Sequence, residues 1–339
     1  MNQVSTIGFD IAKHVFQVHG TDAQGRLFRC KLRRKEVIAY FTSLPPSLIG
    51  MEACGSAHYW ARQLQALGHE VRLMPPAYVK PYVKRQKNDA IDAEACWEAV
   101  GRPTMRFVAI KSEEQQSVLM LHRARDLLIG QRTQTSNALR GHLAELGIIA
   151  KKGRGGTDEL LALVEGNEEG LMPKLARTAL LVLADQLREL RVKINKIERE
   201  IHAWHRSNAQ SRRLETAPGV GPITASAIVA TVPDPSCFKS GRQFAAWLGL
   251  TPNENSTGGK QRLGRITRAG DPYLRRLLVV GAHAVLRYSG NAKSAPTRWA
   301  AELLGKKPYT VAAVALANKM ARVIWAMMTK GEAFRAAGA

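Results

Sequence analysis

Two short apolar runs near the N-terminus each stop on an acid. Ile7-Gly8-Phe9 runs into Asp10, and Leu48-Ile49-Gly50-Met51 into Glu52. An acid closing an apolar strand is costly unless it finds a partner, so such a pair restricts both fold and purpose. The segments around the first acid sharpen the restriction. Residues 5–10 (STIGFD) read as a strand, residues 14–20 (HVFQVHG) and 26–32 (RLFRCKL) alternate, and TDAQG between them is a turn. This predicts a three-strand meander, followed by a short helix over 34–43. After Glu52, the pattern predicts a helix from about Ala57 to Leu67, a strand over Val71–Met74 stopped by Pro75-Pro76, and a helix near 89–100. Strands first, then alternating helix and strand, match a mixed α/β sheet of RNase H type.

Two further acids, Asp89 and Asp92, are spaced i,i+3 at the start of the last of these helices, where Asn88 can act as its cap. Asp10, Glu52 and the Asp89/Asp92 pair thus come from three separate elements, and all four are hard oxygen donors. Mg²⁺ prefers such donors, and phosphodiester chemistry uses it to activate a nucleophile and stabilise the leaving oxygen. Taken singly, each acid also has a structural reading: Asp10 as a turn residue, Asp89 and Asp92 as charges complementing a helix N-terminus.

Beyond residue 110 the chain reads as helical. Ser112 and Gln115 form a capping-box pattern opening a long helix that ends near Gly147, and KKGRGG (151–156) reads as a basic, flexible linker. Leu180, Leu183, Leu187, Leu190, Ile194, Ile197, Ile201 and Trp204 then follow a strict alternation of three and four. That heptad seam predicts a coiled coil, which makes the protein at least a dimer if it is intermolecular. The alternative is one long helix packed on its own domain. His202 and His205 lie on this helix with no ligand partner placed for zinc, and His205 is expected to be exposed. Further on, Pro218-Gly219-Val220-Gly221-Pro222 between apolar patterns reads as a helix-hairpin-helix turn or as a mere tight turn, with Gly219 and Gly221 letting amides approach a phosphate in the first case. Asp271-Pro272 caps a helix over 272–287, and Pro308 opens a last helix ending at Gly331. Its apolar stretch near 311–328 is broken by Asn318, Lys319 and Arg322, so it is expected to be buried in protein and not to span a membrane.

Charge points to the partner. The chain carries 50 Lys and Arg against 28 Asp and Glu, a net of +22. Residues 1–110 have 15 basic and 9 acidic side chains, residues 111–206 have 16 and 13, and residues 207–339 have 19 and 6. The main nucleic-acid surface is therefore expected in the last third. There the polar segment 253–268 holds Lys260, Arg262, Arg265 and Arg268, with Arg275 and Arg276 on the next helix. The bland reading of these cations is a solvated charged face. Four scattered cysteines with no CxxC pair read as reduced thiols, and no secretory signal is evident, so a cytoplasmic, nucleoid-associated protein is expected.

The stretches IGFDIAKHVFQV, GMEACGS and KNDAIDAEA, in that order, resemble the RuvC-like domain of insertion-sequence transposases with a DEDD acidic tetrad. LETAPGVGPITASAIVA, RQFAAWLGLTPNENSTGGK and GRITRAGDPYLRRLL resemble the second domain of the same family, the bridge-RNA-guided recombinases of insertion-sequence group one hundred and ten. The resemblance covers nearly the whole chain. It implies a catalytic RuvC-like domain over 1–110, a helical linker and coiled coil over 111–206, and a mainly α C-terminal domain over 207–339. It further implies a metal site of Asp10, Glu52, Asp89 and Asp92 that binds Mg²⁺, and a nucleophilic serine at Ser256, with Thr257 the neighbouring alternative in a loop one residue shorter than the family form. The implied partners are DNA, both element ends and target, a bridging non-coding RNA, and further copies of the chain as a dimer or tetramer. Two rival readings remain at this point: a RuvC-like junction nuclease using metal-activated water, and a basic architectural protein whose acids are structural.

Overall fold

The computed structural model describes residues 5–22, 24–84, 88–166, 172–288 and 295–335. The chain divides into two compact units, Met1–Gln116 with Thr231–Gln243 and Ser117–Ala230 with Phe244–Ala339.

The first unit is built on a five-stranded mixed sheet. Its strands are β1 (Thr6–Asp10), β2 (Val15–Thr21), β3 (Leu27–Arg33), β4 (Leu48–Glu52) and β5 (Glu70–Met74). They lie in the order β3-β2-β1-β4-β5, with β1–β2 and β2–β3 antiparallel and β1–β4 and β4–β5 parallel. The predicted meander is thus the antiparallel half. Helix α1 (Val37–Thr42) leads from β3 towards β4, and α2 (Ala57–Ala66) joins β4 to β5. After α3 (Pro76–Val79), α4 (Asp89–Val100) lies on the sheet. Alternation along β1 sorts its residues between two faces. Ile7 and Phe9 join Phe16, Phe41, Ile49, Met51, Trp60 and Leu64 in one core, where Phe9 stacks on Phe16 at 5.4 Å and meets Phe41 edge-on at 5.0 Å. Gly8 and Asp10 face the other way, towards α4.

The second unit is mainly helical. The long helix α5 (Glu113–Glu145) opens with the predicted capping box, in which the Gln115 amide N–H donates to Ser112 Oγ at 3.1 Å and the Ser112 N–H to Gln115 Oε1 at 3.0 Å. Residues expected as a flexible linker instead open a helix, α6 (Arg154–Glu165). The Arg140 guanidinium holds the approach to it by donating to the carbonyls of Lys151 at 2.8 Å and Gly153 at 3.0 Å. Helix α7 (Lys174–Ser207) carries the heptad seam. Leu180, Ala184 and Leu187 pack in one core with Leu139 and Leu143 of α5 and Leu160, Leu161 and Val164 of α6. Arg125 of α5 pairs with Glu198 further along α7, so the two long helices run antiparallel. The first part of the seam, Leu180 to Leu187, is covered here by the chain's own α5 and α6.

His205 corrects an expectation. It is 3% exposed, because α8 (Ala209–Glu215) folds back over the end of α7 and supplies partners to both ring nitrogens: Ser211 Oγ at 2.8 Å and Glu215 at 2.9 Å. Helices α9 (Pro222–Thr231) and α10 (Gly241–Trp247) follow. Next come the two-stranded sheet of β6 (Pro252–Glu254) and β7 (Leu263–Ile266), then α11 (Pro272–Arg287), α12 (Ala295–Leu304) and α13 (Tyr309–Lys330). Asp271 caps α11 as predicted, accepting from the amides of Tyr273 and Leu274. By length and composition α13 could cross a membrane. Half of its apolar window is buried in protein, and Asn318 donates to the Leu250 carbonyl at 3.1 Å.

Candidate active site

Asp10 and Glu52 end neighbouring parallel strands whose register pairs Phe9 with Met51, so the two acids stand side by side at the C-terminal ends of two interior strands. Each acid has a glycine two positions earlier, on the same face of its strand. A Cβ on Gly8 would lie 2.0 Å from the Ala93 carbonyl oxygen and 2.4 Å from the Trp97 nitrogen; on Gly50 it would lie 2.6 Å from Val100 Cβ and 2.8 Å from the Cys96 carbonyl oxygen. Those two glycines let the backbone of α4 settle directly on β1 and β4. The helix therefore begins beside the strand ends, with Asp89 and Asp92 in its first turn and Asn88 accepting from the Ala90 amide at 3.1 Å.

The electrostatics follow from that convergence. Burial, then repulsion from Asp92, Asp89 and Glu52 in that order, pushes the Asp10 carboxyl up from 3.8 to about 6, against a smaller downward pull from the Ile11 backbone. The charged neighbours that shift Asp10 most, Asp92, Asp89 and Glu52, are all acidic. Two thiols share this field: burial raises Cys54 and Cys96, and the charges of Asp10 and Glu52 raise both further. Four carboxylates, three of which raise the fourth, Asp10, are a donor set suited to Mg²⁺. Among the described residues, no three His, Cys, Asp or Glu side chains are already grouped as ligands of one ion. The fit is one of donor chemistry and of repulsion that a divalent cation would relieve.

Ser256 belongs to the second unit. It lies on an exposed β-hairpin where the sequence suggested only a loop. Pro252 pairs with Ile266 and Glu254 with Leu263, the Asn255 amide donates to the Arg262 carbonyl at 2.9 Å, and Thr257 bridges Lys260. Gly258 and Gly259 at the tip have φ of 58° and 73°, the positive values that a type I′ turn demands at both central positions. The Ser256 hydroxyl donates to Glu254 Oε1 at 2.8 Å and accepts from the Arg262 amide at 3.3 Å. Glu254 was not singled out from the sequence. Had the strand been recognised, its i,i+2 relation to Ser256 would have set both on one face, and the Gly-Gly doublet was the available hairpin signal.

The expected nucleic-acid contacts separate into two groups. Lys260, Arg262, Arg265 and Arg268 are exposed on or beside the hairpin and make no ion pair among the described residues. Arg275 instead donates to the carbonyls of Ala269 at 2.7 Å and Leu248 at 3.0 Å, and Arg276 pairs with Asp126 and lies over the Tyr273 ring. Gly219 and Gly221 form the turn between α8 and α9. Gly219, at φ 77°, packs so closely that a Cβ would lie 2.8 Å from Met320 and 2.9 Å from the Gly281 carbonyl oxygen, whereas Gly221 faces open space.

A strand-end acid pair joined by two helix acids, on a sheet of this order, is the arrangement of an RNase H-like nucleic-acid enzyme. Residues 7–148 match the DEDD-type model described as "Transposase", and residues 211–296 match the model described as "Transposase IS116/IS110/IS902 family". The chain is 50% identical over 334 residues to the "Probable family 20 transposase" of Pseudomonas aeruginosa, covering 98% of this chain and 99% of that one. It is 38% identical over 335 residues to the "Transposase for insertion sequence element IS1328" of Yersinia enterocolitica, again covering 98% and 99%. It is also 38% identical to the "Transposase for insertion sequence element IS1111A" of Coxiella burnetii, over 99% of this chain and 92% of that one. The chain belongs to the IS110/IS116 family of transposases, enzymes of DNA strand transfer.

Proposed function

We propose that this transposase cuts and rejoins DNA through a covalent phosphoserine link, in a Mg²⁺-dependent reaction guided by a bridging RNA. Asp10, Glu52, Asp89 and Asp92 would hold the metal. When bound, the ion supplies positive charge that favours an oxygen nucleophile and offsets charge building up on the phosphoryl oxygens. The observation carrying this part is the Asp10 carboxyl, lifted to about 6 by burial and by three acids that converge on it.

Ser256 is the proposed nucleophile. Its oxygen would form the new bond to phosphorus while the bond to the leaving strand oxygen breaks. A serine hydroxyl is a weak nucleophile until it loses its proton, and Glu254 Oε1, at 2.8 Å, is positioned to accept it. Lys260, Arg262, Arg265 and Arg268 would hold the DNA backbone and offset charge in the transition state, with the Gly221 end of the α8–α9 turn as a further backbone contact. In this reading residues 1–110 carry the metal site, 111–206 the helical connector and 207–339 the serine. The guide RNA pairs with donor and target DNA, and the working form is a homo-oligomer in the cytoplasm.

The test is to incubate the protein with its element ends, target and RNA, and to trap a protein–DNA adduct. Wild type is expected to form it and Ser256→Ala to lose both adduct and recombination. An adduct that survives Ser256→Ala and disappears in Thr257→Ala moves the nucleophile by one residue. Cleavage without any adduct would instead be the work of a nuclease using metal-activated water.

A further inference from the structure

The α5–α6–α7 region carries a second feature that catalysis does not use. A pocket of about 410 Å³ opens between these helices, lined by Arg132, Asn137 and Arg140 of α5, Thr157 of α6, and Arg191 and Asn195 of α7. We propose that this pocket receives one phosphate-bearing nucleotide of a nucleic-acid strand.

Three observations carry the proposal. First, three guanidinium groups share the wall, and the acid found to pair with any of them is Asp158, with Arg191. The lining therefore keeps a surplus of positive charge. Second, Arg140 is held in place by the carbonyls of Lys151 and Gly153 and by Thr157 Oγ1 at 3.0 Å. A cation fixed in advance binds an anion with less ordering cost than a free side chain. Third, Arg132, Asn137 and Asn195 form no side-chain hydrogen bond with any described residue, although the groups around them are well bonded: Ser136 Oγ lies 3.1 Å from Thr157 Oγ1. They offer a charged fork and two amide groups to whatever enters. Leu187 and Ile194, buried residues of the seam, also line the pocket.

The ligand class follows from size and chemistry. The cavity is larger than an inorganic phosphate needs and lies in the range of small-ligand pockets. Arginine forks match phosphate, and Asn side chains match the donor–acceptor edge of a base. A concave pocket admits an unpaired nucleotide but not a duplex. The connector is the least basic of the three segments by count, 16 basic against 13 acidic side chains, so net charge alone hides this site. The proposal does not depend on Ser256 or on the metal site.

The same phosphodiester chemistry could come from RNA or DNA, and the experiment separates them. Full-length wild-type protein is treated with phenylglyoxal, and modification of Arg132 is followed by mass spectrometry. The additions are uridine 5′-monophosphate, thymidine 5′-monophosphate, inorganic phosphate, short single-stranded RNA or short single-stranded DNA. Slower modification of Arg132 with a nucleotide and with at least one strand is expected, and the strand that protects identifies the source. Protection by inorganic phosphate alone, or by none of these while Arg265 is protected, overturns the proposal. In parallel, Arg132→Ala combined with Asn195→Ala should weaken binding of the protecting strand about tenfold, with an unchanged circular dichroism spectrum. Unchanged affinity in that variant also overturns it.

Discussion

The acidic site and the basic hairpin are built by opposite means. Asp10, Glu52, Asp89 and Asp92 are anchored on two strand ends and the first turn of a helix, over a core with Phe9, Phe41 and Met51 fully buried. Their placement depends on two backbone contacts, at Gly8 and Gly50, that tolerate no added atom. Ser256, Lys260, Arg262 and Arg265 sit on a short exposed hairpin held by its own ladder and by the Ser256–Glu254 bond. The carboxylates repel one another and need a rigid scaffold to stay together, whereas exposed cations on a hairpin need only reach and solvent to meet a polyanion.

That contrast can be broken most directly at the chemistry. Asp10→Asn should lower recombination by about three orders of magnitude or more, as loss of a metal-binding carboxylate does, while leaving DNA binding in a mobility-shift assay nearly unchanged. Weakened DNA binding of similar size would mean that the acids serve the fold or the interface. The scaffold comes next. Gly8→Ala should destabilise the first unit by about 2–3 kcal/mol through overpacking against Ala93 and Trp97, read from urea unfolding. The hairpin substitution Gly264→Ala, where the nearest side-chain or backbone atom lies 3.8 Å away, should leave unfolding unaltered.

The electrostatic prediction is smaller and has a defined sign. The folded-state value for Asp10 is raised, so its ionisation opposes folding. The penalty is absent below the unfolded value near 4 and grows as pH rises through about 6. Without divalent metal, Asp10→Asn should therefore stabilise the protein at pH 7.5 by about 1–2 kcal/mol, allowing for solvent screening, and by nothing at pH 3.5. An equal gain at both values would show that burial of the amide, not charge repulsion, is responsible. The smallest effect belongs to the hairpin. Arg265→Ala should leave the melting temperature unchanged and reduce the salt dependence of DNA binding by about one unit of slope. A slope equal to wild type would remove Arg265 from the interface.

Much of this was legible in order of residues. The strand-ending acids, the Asn88 cap, the Ser112–Gln115 box and the Asp271 cap depend on local spacing, and all took the predicted form. What was misread depended on partners far along the chain. His205 looked exposed because Ser211 and Glu215 reach it only after α8 turns back. Residues 151–156 looked like linker because nothing local reveals that Arg140 holds their carbonyls. Arg275 and Arg276 looked equivalent to Arg265, yet protein carbonyls and Asp126 engage them.

The sequence by itself determined the elements that bear its acids and the concentration of positive charge in the last third, because periodicity, capping and composition are local properties; the class of enzyme came from the resemblance of its motifs to the DEDD transposases. Only the tertiary structure decided that Gly8 and Gly50 bring α4 against the sheet, that Ser211 and Glu215 enclose His205, and that three arginines of the connector share one pocket. Those outcomes require side chains distant in sequence, or on opposed strands and helices, to occupy one place, and close packing rather than local preference selects such meetings.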